Sequence, residues 1–393
     1  MDKFIPLSVP NFKGNELNYI TDAIEAEWVS TGGAYIDRFE SEFAAYVQTE
    51  RAVACQNGTA GLHLALILAG VEADHEVIVP TLTFIAAVNP VKYLNAHPVF
   101  MDCDDSLCMD MSKLKKFCLE ECNFIDSKLI NKSTGRQIKA IVVVHIFGNM
   151  ADMPAVMDIA EEYNLKVIED ATEALGTYCL EGRYKGKYAG TIADIGVYSF
   201  NGNKIITTGG GGMMVSRDPG IMKRAKYLST QAKDDAEIFL HNEVGYNYRM
   251  TNLQAALGVA QLEQLENFIS IKKENYQIYK SKINDGLNGL KILDFREDIR
   301  PNYWFYSLYI VNLEKYSRKR IMESLAKANI QTRPIWGLIH EQKPYLHNQA
   351  FMIEKALAYY TRVANIPCSS NLSANDVYRV IDKIAIHVVK QGD

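Results

Sequence analysis

The chain has 393 residues, a net charge of −5, and 48% hydrophobic against 23% charged residues. That composition belongs to a packed globular protein and excludes a disordered chain, and the negative charge argues against a nucleic-acid partner. The length exceeds one ordinary core, so two units are expected, a large one over 1–265 and a smaller one over 266–393.

The first residues, Met1 to Leu7, are too short and too interrupted by Pro6 to act as a signal peptide. No apolar run approaches the length of a bilayer span, so no membrane partner is expected. Seven cysteines lack a framework spacing and read as reduced thiols of a cytoplasmic protein. Cys103, Cys108, Cys118 and Cys122 lie close in sequence, but they form no Cys-x-x-Cys pair and are not read as a metal site.

Strand-like and helix-like stretches then alternate. The pattern predicts a strand at Arg51–Cys55, an apolar helix at Thr59–Ala69, a strand at Glu76–Pro80, a helix at Phe84–Leu94 and a strand at His97–Met101. An insert from Lys113 to Arg136 is polar, helix-prone at its start and expected to be exposed. Ile138–Phe147 reads as a long buried strand and Pro154–Tyr163 as a helix with proline in its first turn. Strands follow at Leu165–Ile168, Asp194–Phe200 and Gly212–Ser216. Strands apolar on both faces and separated by helices predict an α/β fold with a mostly parallel sheet flanked by helices. Beyond residue 265 come a long charged helix over 266–282, a strand at Phe305–Val311 and helices near Arg318–Ala328 and Asn375–Val389, the pattern of a smaller α+β unit.

In open α/β sheets, ligands bind beyond the carboxyl ends of the strands, so the residues just after each strand carry the chemistry. After the first strand, Gln56-Asn57-Gly58-Thr59-Ala60-Gly61 turns into a helix. Free amides at such a start can hold phosphate, or the turn is a plain Asn or Thr cap. Phe84, after the second strand, could stack on a planar ring or belong to the core. Asp170 could pair with a protonated ring nitrogen or cap a helix. Lys204 follows a later strand among small and apolar residues. It reads as a poorly hydrated nucleophile or as a surface lysine. The four glycines after it come in the wrong order for a phosphate-binding loop, and no dinucleotide fingerprint opens a strand-turn-helix unit. A phosphate seat, a stacking aromatic, a strand-end aspartate and a desolvated lysine together match what pyridoxal 5′-phosphate (PLP) requires.

With these residues in view, the sequence resembles the DegT/StrS-type sugar-nucleotide aminotransferases, which have the fold type I architecture of PLP-dependent transferases. The likeness runs through Trp28-Val29-Ser30-Thr31-Gly32-Gly33, Asn57 to Leu62, Pro80 to Phe84, Glu169-Asp170-Ala171, Ser199-Phe200 with Lys204, Gly245 to Thr251, and Thr332-Arg333-Pro334-Ile335-Trp336. It implies that Lys204 forms the Schiff base and shuttles protons, that Asp170 pairs with the ring nitrogen and that Phe84 stacks on the ring. It also implies that Thr59, Ala60 and Ser199 hold the phosphate. Asn247 would reach the cofactor of a neighbouring subunit, so the resemblance implies a homodimer with shared active sites. Glu173 stands near the ring where many relatives carry Gln or His, and Gly210 stands where many carry Glu. The Ser199–Thr208 string and the insert look most like the subgroup acting on UDP-linked 2-acetamido-4-keto-6-deoxy sugars in bacillosamine and legionaminic acid pathways. The expectation is therefore amino transfer from L-glutamate to the C4 ketone of a UDP-linked sugar, with GDP- or dTDP-sugars and C3 chemistry as alternatives. A sugar dehydratase of the same fold usually has His in place of the lysine, a PLP-binding regulator usually carries a DNA-binding extension, and a nicotinamide-dependent reductase needs the missing fingerprint.

Overall fold

A computed structural model describes residues 3–235 and 237–389. Seven strands form the body of the main sheet: β1 (Ala52–Cys55), β2 (Glu76–Pro80), β3 (His97–Met101), β4 (Gln137–Val144), β5 (Lys166–Asp170), β6 (Ile195–Ser199) and β7 (Gly212–Val215). Their order is β1-β7-β6-β5-β4-β2-β3. The pairs from β6 to β3 are parallel, whereas β7 runs antiparallel to both β1 and β6. The parallel strands are buried on both faces, which is why they read as unbroken apolar runs.

One expectation needs correction. The stretch Phe84–Leu94 is not one helix. Pro90 permits a helix only from its first turn, so a 3₁₀ turn at Ile85–Ala87 gives way to a short helix at Asn89–Tyr93. The insert is mostly exposed, as expected, but it is ordered and anchored along one side. It forms the helix Met111–Glu120 and a hairpin of Cys122–Ile125 with Lys128–Asn131, whose second arm pairs antiparallel with β4. Leu114, Phe117, Cys118 and Leu129 are buried, and the Asn131 amide donates to Glu76 at 2.7 Å. Helices at Glu16–Glu25, Ala34–Tyr46, Pro219–Ser229 and Asn252–Glu263 complete the layers around the sheet. All seven cysteines are free and buried. Among the described residues, no cluster of three His, Cys, Asp or Glu is placed to hold a metal, and no helix is long and apolar enough to cross a membrane.

A second sheet lies in the C-terminal part, where Leu290–Ile292, Tyr306–Ile310, Val363–Ile366 and Arg333–Pro334 pair antiparallel. The helix Leu265–Gly286 leads into it. The chain's start and its C-terminal part are tied together: Ile5 bridges Ile330, and the Cys368 amide donates to Leu7. The C-terminal part also returns to the main sheet, since Ala350–Phe351 pairs parallel with β3.

The helix Ala34–Tyr46 is fastened to the sheet by aromatic packing. Phe43 is fully buried, 4.9 Å from the ring of Tyr198 on β6 and 5.7 Å from Phe200 just after it. Phe43→Ala leaves a cavity behind the strand that leads to Lys204. It is expected to cost about 3–5 kcal/mol, read as a fall in the urea midpoint of unfolding.

Candidate active site

The carboxyl ends of β2, β5 and β6 and the start of the helix Gly58–Leu68 surround a cavity of about 240 Å³. Thr59, Phe84, Asp170, Glu173, Ser199 and Lys204 all line it. Two of the expected residues do not. Ala60 is buried one step behind the wall, and its amide donates to the Asn57 side chain at 2.8 Å. The Asn57 cap is present and leaves room for an anion: Asn57 uses the Ala60 amide, while the amides of Gly58 and Thr59 have no protein acceptor among the described residues. Asn247 is exposed and lies outside the cavity. A larger, open groove of about 490 Å³ runs along the other end of β1, where Lys226 is already paired with Glu40 at 2.7 Å. It holds none of these residues.

Neighbouring acids on β5 have opposite fates because side chains alternate across a strand. Glu169 is consumed by structure: it accepts from the amides of Gly190, Ile192 and Ala193 and meets the His145 ring at 2.9 Å. Asp170 ends the strand and faces the cavity. It is 3% exposed, and its carboxyl accepts from the Thr172 amide at 3.1 Å. No helix follows, so the helix-cap reading fails. Burial pushes the Asp170 carboxyl above its usual range, against the pull of Thr172 and Lys204. Burial likewise pushes Glu173 up, with Lys204 and the Phe147 amide opposing.

Lys204 sits in a turn and is half-buried. Its ammonium lies over the ring of Trp304, 4.4 Å from the centroid, and donates no hydrogen bond among the described residues. Burial lowers its pKa, while Glu173 and Asp170 hold it up. The surface-lysine reading therefore gives way to the desolvated one. Phe84 is 54% exposed at the cavity mouth, so it is not a core residue; its ring faces Trp336 at 6.4 Å.

Trp304 was not anticipated from the sequence. It is fully packed, stacked on Phe305 at 4.1 Å, and its indole donates to the Asn203 carbonyl at 2.8 Å. Its amide is fixed by Asn302, which also binds the Glu173 carbonyl. Asn302 presses so closely on Gly148 that a Cβ there would lie 2.0 Å from its side-chain oxygen, and Gly148 has φ +95°, so glycine is required. The only advance signal for Trp304 was an aromatic run before a C-terminal strand, about a hundred residues from Lys204.

The residues fit PLP. Asp170 is a buried carboxyl without a cationic hydrogen-bond partner, which a protonated ring nitrogen would supply. At Gly58 a Cβ would come within 2.9 Å of the Ser199 Cβ, so the missing side chain keeps the seat beside Ser199 open. A family model described as the DegT/DnrJ/EryC1/StrS aminotransferase family matches residues 10–385.

The chain belongs to this family.

It is a PLP-dependent sugar aminotransferase with a fold type I α/β architecture. Among its relatives in the DegT/DnrJ/EryC1/StrS family is the GDP-perosamine synthase of Escherichia coli O157:H7, 38% identical over 97% of this chain and 98% of that protein. The UDP-4-amino-4,6-dideoxy-N-acetyl-beta-L-altrosamine transaminase of Campylobacter jejuni is 29% identical over 99% of each chain. In fold, it matches the aminotransferase TlmJ from Streptoalloteichus hindustanus with a TM-score of 0.87, at 24% identity, over 99% of this chain and 100% of that one.

Proposed function

We propose that this aminotransferase moves the amino group of L-glutamate to the C4 ketone of a GDP-linked 4-keto-6-deoxy sugar. The sequence alone favoured a UDP carrier. The observation that supports GDP instead is the 38% identity with a GDP-perosamine synthase across nearly the whole chain, against 29% with a transaminase of a UDP-sugar.

In this reading Lys204 holds PLP, Asp170 faces its ring nitrogen, Phe84 covers its ring, and Thr59, Ser199 and the Gly58 amide seat its phosphate. PLP supplies the aldehyde for covalent attachment and the ring that withdraws electrons from the reacting carbon. The protein's residues do the rest. Lys204, poorly hydrated, gives up a proton at Nζ more readily than a surface lysine and can carry one between substrate carbon and cofactor. Asp170 keeps positive charge on the ring. Phe84 and Trp336 narrow the mouth and keep water from the reacting groups. Asn247, outside its own cavity, is free to serve the site of a second copy, so the reading includes a homodimer. Residues 1–265 would carry the cofactor and 266–393 would supply Trp304 and Trp336.

The test is a two-step absorbance experiment. Glutamate should bleach the yellow band of the loaded protein. The GDP-linked 4-keto-6-deoxy sugar should then restore it at least about tenfold faster than its UDP-linked counterpart. Faster recovery with the UDP-sugar would reinstate the UDP reading, and a band indifferent to glutamate would remove the donor.

A further inference from the structure

The cavity contains two buried carboxyls and one amine, and that count is uneven. If Asp170 faces the ring nitrogen, Glu173 is left with Lys204. Glu173 is 3% exposed and rigidly placed. Its Oε2 accepts from the Phe147 amide at 2.8 Å, and Oε1 has no protein donor among the described residues. Phe147 itself is held at φ +56° and packed against Trp336 at 4.7 Å and Phe305 at 5.4 Å. One carboxyl oxygen is thus pinned to a fixed loop and the other is available to the cavity that Lys204 lines.

Among the described residues, Lys204 has no polar anchor. Its ammonium rests on the Trp304 face, hydrogen-bonded to neither acid, and Glu173 acts on it more strongly than Asp170 does. The remaining charges nearby are accounted for. Asp170 repels Glu173, and the His145 ring is held by Glu169. Phe84, Phe147, Trp304 and Trp336 bring no charge.

We propose that Glu173 is the proton partner of Lys204: as a carboxylate it keeps the lysine nitrogen protonated, and it takes that proton when Lys204 must act as a free amine. The inference rests on Lys204 being the cofactor-holding lysine. The exchange is balanced within the pair. An N–H bond of the ammonium breaks and its electrons stay on nitrogen; an O–H bond forms on Glu173, and two charges disappear together. Desolvation favours that neutral pair, because burial moves the acid up and the amine down. To make the exchange, the flexible lysine side chain swings from the Trp304 face to Oε1.

The experiment is a pH titration of the visible band in PLP-loaded wild type and Glu173→Gln. The amide keeps the shape and still accepts from Phe147, so only the charge is lost. A carboxylate favours the protonated nitrogen. Removing it should therefore lower the band's titration midpoint by about one pH unit or more, a tenfold or larger change in proton affinity. An unchanged or raised midpoint overturns the proposal. Should Glu173→Gln fail to hold PLP, the same shift is read on cofactor-free protein from the pH dependence of Lys204 acetylation by acetic anhydride, followed by mass spectrometry. A titrating band that survives in Lys204→Ala would defeat the assignment of Lys204 itself, a separate result.

Discussion

Lys204→Ala should lower turnover by roughly four orders of magnitude or more, because in the proposed function Lys204 is both the covalent anchor and the proton carrier. The fold should survive. Lys204 lies in a turn after β6, and among the described residues its side chain makes no hydrogen bond and rests on the Trp304 ring. PLP should still enter, since the phosphate seat and Asp170 are untouched, but the visible band of a lysine-bound cofactor should be missing. Steady-state kinetics and absorbance on one preparation check both claims. Retained turnover would mean that another group does the chemistry.

Asp170→Asn is the second large effect, and its two consequences have opposite signs. With PLP bound as proposed, the substitution would remove the charge facing the ring nitrogen. Losing one partner of a buried charge pair costs about 3–5 kcal/mol, which lowers kcat by roughly a hundredfold to several thousandfold. In cofactor-free protein the same change should stabilise. The Asp170 pKa is raised in the fold, so the folded state holds that proton to higher pH than the unfolded chain does. Its ionisation therefore penalises folding at neutral pH, and the penalty fades as pH falls through the folded and then the unfolded pKa. Asparagine never ionises and still accepts from the Thr172 amide. Cofactor-free Asp170→Asn should melt a few degrees higher than wild type at pH 7–8, with the gap closing in acid. A lower Tm at neutral pH would show that the carboxylate is satisfied without cofactor.

These residues were legible in the sequence for a physical reason. Each sits within a few positions of a strand's carboxyl end, and parallel strands announce themselves as short apolar runs. Asp170 and Lys204 could be placed by counting from such runs. Phe84 could be located but not judged, because exposure depends on what packs above it. Trp304 and Phe147 were missed because their roles are long-range: Trp304 reaches Lys204 from the other end of the chain, and Phe147 matters through its backbone amide. The direction of β7 was equally hidden. An apolar tetrapeptide reads the same either way, and only its pairing with β1 and β6 sets its sense. The insert's exposure was legible from its polar residues, whereas the anchor formed by Leu114, Phe117 and Leu129 was not, because those apolar residues are scattered among polar ones.

That pairing of β1 also governs when the site can exist. Among the described residues, β1 finds its sheet partner only in β7, about 160 residues further along. On a ribosome adding roughly 5–20 residues per second, the helix that starts at Gly58 waits about 10–30 s before the strand leading into it is fixed in the sheet. Trp304 and Trp336 emerge later still. A nascent chain therefore cannot capture its cofactor early and use it as a scaffold, and PLP added to a translating system should protect only chains that have been released.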